Sequence, residues 1–170
     1  ECTKALEDNR DAWFFSLRLG KNIVFCGMLN HPQPVPRGKR INSRMFKWKF
    51  SSVKVEGDWN YPNTTDTTVY RKNDIRSFLK RALYENPNRL ESLWTRIAPK
   101  KKKGICFTRS RAINIPMNVV NPYFSSANME IPVTELLSKF VQGSKIDVDA
   151  FYKVNNPSPH VNYNPRFIQR

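Results

Sequence analysis

A chain of 170 residues with 39% hydrophobic side chains is long enough to fold as one domain with its own core, and too apolar to be a disordered polymer. Its formal net charge is +15, and 20 of its 29 Lys and Arg residues lie between Arg37 and Arg111. Charge so concentrated repels itself unless a polyanion offsets it, and six glycines argue against Gly-rich phosphate loops or low-complexity tails.

The first twelve residues are charged and polar and do not resemble a secretory leader. With Glu1 in place of an initiator Met, the chain is expected to be a processed or excised piece. Trp13-Phe14-Phe15-Ser16-Leu17-Arg18-Leu19 alternates in hydrophobicity, which predicts a strand. Gly20-Lys21-Asn22 is a turn signal, and Ile23–Leu29 is a second apolar strand, so the two read as a hairpin. The longest apolar runs, within these two segments, are far short of a membrane span. Pro32, Pro34, Pro36 and Gly38 make residues 30–40 an irregular loop.

Arg44–Val55 predicts a third strand. Phe46, Trp48 and Phe50 share one parity and Val53 and Val55 the other, so a bulge is expected at Ser51-Ser52. Glu56–Thr68 is polar and turn-rich; its sequon, Asn63-Thr64-Thr65, reads as a chance match. Ile75, Phe78, Leu79, Ala82 and Leu83 follow helical spacing, with Asn73 as candidate cap and an end near Pro87. A short helix follows, with Leu90, Leu93, Trp94 and Ile97 apolar, then a strand over Gly104–Pro116. Residues 118–132 read as irregular. Val133–Gly143 predicts a helix ended by Gly143, and Ile146–Val154 a last strand.

The expected class is α+β: a mainly antiparallel β-barrel or sheet with two or three helices. The element order resembles an OB-type barrel, with the helix near 133–142 as an insertion. Residues 1–154 are expected to form a single nucleic-acid-binding domain. Residues 155–170, with Pro157, Pro159 and Pro165, are expected to form an extended C-terminal arm through which copies self-associate.

The basic residues fall into three groups. Residues 37–54 hold seven bases and no acid: Arg37, Lys39, Arg40, Arg44, Lys47, Lys49 and Lys54. On the predicted helix, Lys72, Arg76 and Lys80 form one ridge flanked by Arg71 and Arg81. Like charges at that spacing disfavour the helix by a few tenths of a kcal/mol each, so a phosphate-contacting role fits them. Lys100, Lys101, Lys102 and Lys103 resemble a short nuclear-import signal and also suit a phosphate clamp, continued by Arg109 and Arg111. Trp48, Trp59 and Tyr70 either stack on unpaired bases or pack in the core, and Tyr123 and Phe124 are further candidates.

Catalytic motifs are missing from the sequence. His31 and His160 lie beside prolines without ligand partners at zinc spacing, and Cys2, Cys26 and Cys106, odd in number and far apart, read as free thiols. No metal, cofactor or membrane association is expected. The sequence therefore predicts a non-enzymatic nucleic-acid-binding protein, favouring single-stranded DNA with RNA as an alternative, working through a cationic groove and aromatic stacking. A nuclear or viral replication site follows from that reading, with secretion not expected. The alternatives are a viral capsid or nucleocapsid protein and a metal-dependent nuclease gathering Asp58, Asp66 and Asp74.

Overall fold

The computed structural model describes residues 1–118 and 129–170. Tyr123 and Phe124 lie outside the described residues. The described chain is α+β. Its helices are α1 (Cys2–Asp8), α2 (Lys72–Leu79), α3 (Pro87–Thr95) and α4 (Val133–Val141). Its strands are β1 (Ala12–Ser16), β2 (Phe25–Cys26), β3 (His31–Pro32), β4 (Gly38–Arg40), β5 (Met45–Lys49), β6 (Thr68–Tyr70), β7 (Lys103–Phe107), β8 (Ser144–Ile146) and β9 (Phe167–Gln169).

Five strands form one mixed sheet in the order β4-β5-β7-β1-β6. β1 and β7 run parallel, and the other neighbours antiparallel. β4 and β6 are its edges, so the sheet does not close and the expected OB-type barrel is not formed. The hairpin expected from Trp13–Leu19 and Ile23–Leu29 does not form either. The turn at Gly20 is instead taken up by the chain after β7: the Lys21 amide donates to the Thr108 carbonyl at 2.8 Å, and the Ser110 amide to Asn22 Oδ1 at 2.9 Å. A Cβ at Gly20 would lie 2.2 Å from the Ser110 nitrogen, so only glycine fits that approach. Held there, the chain leaves the sheet, and β2 pairs only with β3.

Both faces of the sheet are covered, which is why all five residues of β1 are buried and its pattern is a run of aromatics. On one face Phe14, Phe46, Trp48, Trp59, Trp94 and Cys106 form an aromatic core, with Tyr70 and Phe78 packed against it. On the other, Ala5 and Leu6 of α1 cover Phe15, Met45, Ile105 and Phe107. The phase change in residues 44–55 is resolved by a 3-10 turn at Phe50–Ser52, where a bulge was expected. Likewise Ile146–Val154 is mostly a 3-10 turn, Val148–Lys153, after the short β8.

Helix α2 forms at the first part of the predicted segment but ends at Leu79 rather than near Pro87, leaving Ala82 and Leu83 outside it with Leu83 exposed, and it is preceded by Arg71 rather than capped by Asn73. Helix α3 starts on Pro87, and the Asn86 side chain accepts from the Arg89 amide at 2.8 Å. The stretch after Val154 is partly built into the body. Asn156 and Ser158 are buried, the Pro157 carbonyl accepts from the Val24 and Phe25 amides, and β9 pairs with β8.

Candidate functional site

Four charged or ionisable side chains from distant parts of the chain meet beyond the end of β1. Arg18 follows that strand and is buried. Its Nη2 lies 3.5 Å from Asp58 Oδ1 and its Nη1 3.4 Å from Asp66 Oδ2. His160 Nε2 stands 3.9 Å from the same Asp66 oxygen. Local turns set each position. Asp58 opens a 3-10 turn, Asp58–Asn60, with Gln33 donating to Asp58 Oδ2 at 2.8 Å and accepting from the Asp58 amide at 2.9 Å. Asp66 is oriented by its own amide donating to Thr64 Oγ1 at 3.0 Å, just before β6. His160 is placed by bonds between the Asn114 amide and the Pro159 carbonyl, and between the Val161 amide and the Asn114 carbonyl.

The cluster is graded in exposure. The side chains of Arg18 and Asp58 are 6% and 5% exposed, whereas that of Asp66 is 27% exposed, so Asp66 is the carboxylate that solvent reaches. Nearby, Thr65 Oγ1 donates to Glu91 Oε2 at 2.6 Å, and burial together with the Glu91 carboxylate pushes the Tyr61 hydroxyl above its usual range. Arg18 Nε and His160 Nδ1 are buried with no hydrogen-bond partner among the described residues.

Burial, and after it the Arg18 charge, holds His160 below its ordinary value of 6.5, against the opposing pull of Asp58, Asp66 and Glu91. The folded state therefore binds this proton less readily than the unfolded chain does. Above the unfolded value near 6.5 the effect on stability vanishes; as pH falls from there toward the lowered folded value, stability is lost. The midpoint of thermal unfolding is expected to fall between pH 7.5 and 5.5, and by less in His160→Gln. An equal fall in both proteins would put the sensitivity elsewhere.

The basic residues do not assemble into one groove. β7 divides the expected clamp: Lys100–Lys102 precede the strand, Lys103 is its first residue, and Arg109 and Arg111 lie beyond its other end. Arg109 donates to Asn155 Oδ1 at 3.1 Å, and Arg111 lies over the Phe107 ring. Lys101 pairs with Asp74, which Arg71 Nη1 also reaches at 3.2 Å. Arg71 further donates to the carbonyls of Leu6, Asn9 and Ala12, closing the end of α1, a structural role. Arg44 pairs with Glu1, and Arg40 bonds the carbonyls of Asn42 and Ser43. Arg37, Lys72, Arg76, Lys80, Arg81, Lys100 and Lys102 are exposed. Four lysines do gather, on the α1 side of the sheet: Lys39 opposite Lys47, and Lys49 opposite Lys103.

The aromatic candidates are core residues. Trp48 and Trp59 are each 1% exposed and meet edge to face at 5.0 Å between centroids. Their indole nitrogens donate to the Trp59 and Ile23 carbonyls at 2.9 and 3.1 Å. The Tyr70 hydroxyl donates within its own loop, to the Pro62 or Thr64 carbonyl, both at 2.8 Å, and its ring packs on Trp94. No base can stack on Trp48 or Trp59 without opening the fold, and Tyr70 is partly buried against the same core. Asn63 of the sequon is equally committed: its Oδ1 accepts from Trp13 Nε1 at 2.8 Å, and its Nδ2 donates to the Trp94 and Ile97 carbonyls.

Asp74, grouped with Asp58 and Asp66 in the nuclease reading, is spent on Lys101 and Arg71. Among the described residues no three His, Cys, Asp or Glu side chains gather as a metal-binding group, and no helix is long and apolar enough to cross a membrane.

Comparison with known proteins finds one partial likeness. Part of the chain is similar to the bifunctional glycosyltransferase pgtA of Dictyostelium discoideum, with 32% identity over 91 residues, covering 45% of this chain and 12% of that protein. No family model matches the chain, and no solved structure matches it. A likeness to a protein named as an enzyme does not support the expectation of a non-enzymatic chain.

Proposed function

We propose that this chain is part of an enzyme that transfers sugar units, and that Arg18, Asp58, Asp66 and His160 form a site for a substrate hydroxyl. The observation that carries this reading is the buried ion cluster with one carboxylate left open to solvent. It lies beyond the C-terminal end of β1, one of the two parallel strands, the side on which open sheets of parallel strands receive their ligands. Sugar hydroxyls both donate and accept, which suits a carboxylate set beside a guanidinium. A carboxylate within hydrogen-bond reach of an attacking hydroxyl can take its proton. The partial likeness to a glycosyltransferase supports the same class; since the chain spans 12% of that protein, donor and acceptor are matters for experiment.

The test is ligand-observed NMR with a panel of nucleotide sugars and neutral oligosaccharides. At least one is expected to receive saturation from the protein, and Asp66→Asn, which keeps shape while removing the open charge, is expected to weaken that ligand about tenfold or more, as loss of a charged hydrogen bond implies. No ligand at millimolar concentration, or full binding by the variant, would overturn the assignment. Nucleic-acid binding is a second reading, and the observation favouring it is the set of four lysines at the other end of the sheet.

A further inference from the structure

The register of β4, β5 and β7 puts Lys39, Lys47, Lys49 and Lys103 on one face, past the part that α1 covers. Like charges directly opposite each other disfavour pairing, and here two opposite pairs adjoin. Against them stands Asp11, which takes Lys47 Nζ at 3.0 Å and Lys103 Nζ at 2.7 Å. The hydrogen bond from Lys103 and the charge of Lys47 outweigh desolvation and hold the Asp11 carboxyl below its ordinary range. Asn9 Oδ1 accepts from Lys47 at 2.8 Å without adding charge. Two of the four ammonium groups, those of Lys47 and Lys103, thus share the Asp11 carboxylate, while Lys39 and Lys49 are exposed.

The spacing is regular because the strands make it so. Lys47 and Lys49 are about 6.6 Å apart along their strand, and opposite partners about 5 Å apart across it. None of the exposed large apolar residues among the described ones lies on these three strands. A membrane-surface site joins its cations to apolar side chains that enter the lipid; this face offers none. An evenly charged, fully hydrophilic partner fits it instead.

We propose that this lysine grid binds the phosphodiester backbone of nucleic acid through charge alone, without base stacking. The grid lies by the start of β1, which pairs with Lys103 through Ala12, and the Arg18 cluster lies beyond that strand's other end. The inference therefore stands independently of the sugar-transfer reading. Single strands and duplexes are both ligands, because neither contact nor stacking distinguishes bases.

The experiment is fluorescence anisotropy with a labelled thymidine 20-mer and a 20-base-pair duplex, at about 50 to 200 mM salt. Both probes are expected to bind, with log K falling linearly in log salt. The double variant Lys49→Glu, Lys103→Glu is expected to lose at least about tenfold in affinity and to flatten the slope by about 1.4 to 1.8, two phosphates' worth. Asp11→Asn is expected to bind two- to fivefold tighter, roughly the effect of one removed surface charge, a gain that misfolding cannot imitate. Absence of binding at the lowest salt, wild-type affinity in the double variant, or binding to phosphatidylserine vesicles but to neither probe would each overturn the proposal.

Discussion

Arg18→Met is expected to cost about 3–5 kcal/mol of stability, the usual penalty for removing one partner of a buried ion pair. Methionine matches much of the arginine stem in volume, so the loss is electrostatic rather than a cavity. Asp58, 5% exposed, would keep Gln33 as donor but lose the cation beside it, and Asp66 would face Asp58 with no positive charge between them. Urea unfolding of the variant measures the effect as a shift of midpoint at constant slope. The double variant Arg18→Met, Asp58→Asn should recover a large part of the loss, because a neutral replacement for both partners leaves no uncompensated charge. A loss below about 1 kcal/mol in the single variant would mean that water already solvates Asp58. The pairing also explains why Asp66 rather than Arg18 is the residue on which to test ligand binding: Arg18 cannot be removed without the fold answering first.

Helices α2 and α3 and the aromatic face of β5 are legible in the sequence because each depends on spacing within a few residues. Ile75 and Phe78 pack on the core as helical periodicity requires, and Phe46, Trp48 and Phe50 share a buried face. What was not legible depends on partners far along the chain. Three-residue β6 carries too little pattern to stand out from the polar segment before it, and it is a strand because β1 pairs with it. α1 is short and polar on most of its surface, and only Ala5 and Leu6 are buried against the sheet. Parallel pairing of β1 with β7 leaves no local mark, and it makes the strand expected over Gly104–Pro116, formed only as Lys103–Phe107, the centre of the sheet.

The candidate site was hidden for the same reason. Arg18 and Asp66 are 48 residues apart, and His160 comes from a proline-flanked stretch read as an arm. A signal did exist: residues 55–68 hold three acids and no base in a chain of net charge +15. Carboxylates left without local cations in so basic a chain had to find a partner elsewhere or face solvent. Asp58 does the first, and Asp66 does both. The density of lysines and aromatics, in contrast, overstated a stacking groove, because sequence adjacency of the two types says nothing of faces. Along β5 they alternate, so the sheet sends Trp48 inward and Lys47 and Lys49 to the opposite side.

Trp59→Ala is the second large expected effect, a loss of about 3–5 kcal/mol measured by denaturant midpoint. The side chain is almost wholly buried, stands edge-on to Trp48 and Phe46, and donates to the Ile23 carbonyl at 3.1 Å. Its removal opens a cavity between the sheet and the segment that carries Asp58, and orphans a buried carbonyl as well. The same geometry fixes what titration with nucleic acid will do. Tryptophans in this core touch other rings and backbone carbonyls, so their emission should stay unquenched when the lysine grid is occupied, whereas a stacking platform would darken on binding. A stable Trp59→Ala variant whose strand binding has collapsed would return the indole to the surface and reinstate stacking. An unstable variant whose folded fraction still binds with wild-type affinity would separate the two faces of the sheet: the aromatic face sustains the fold, and the lysine face meets the partner.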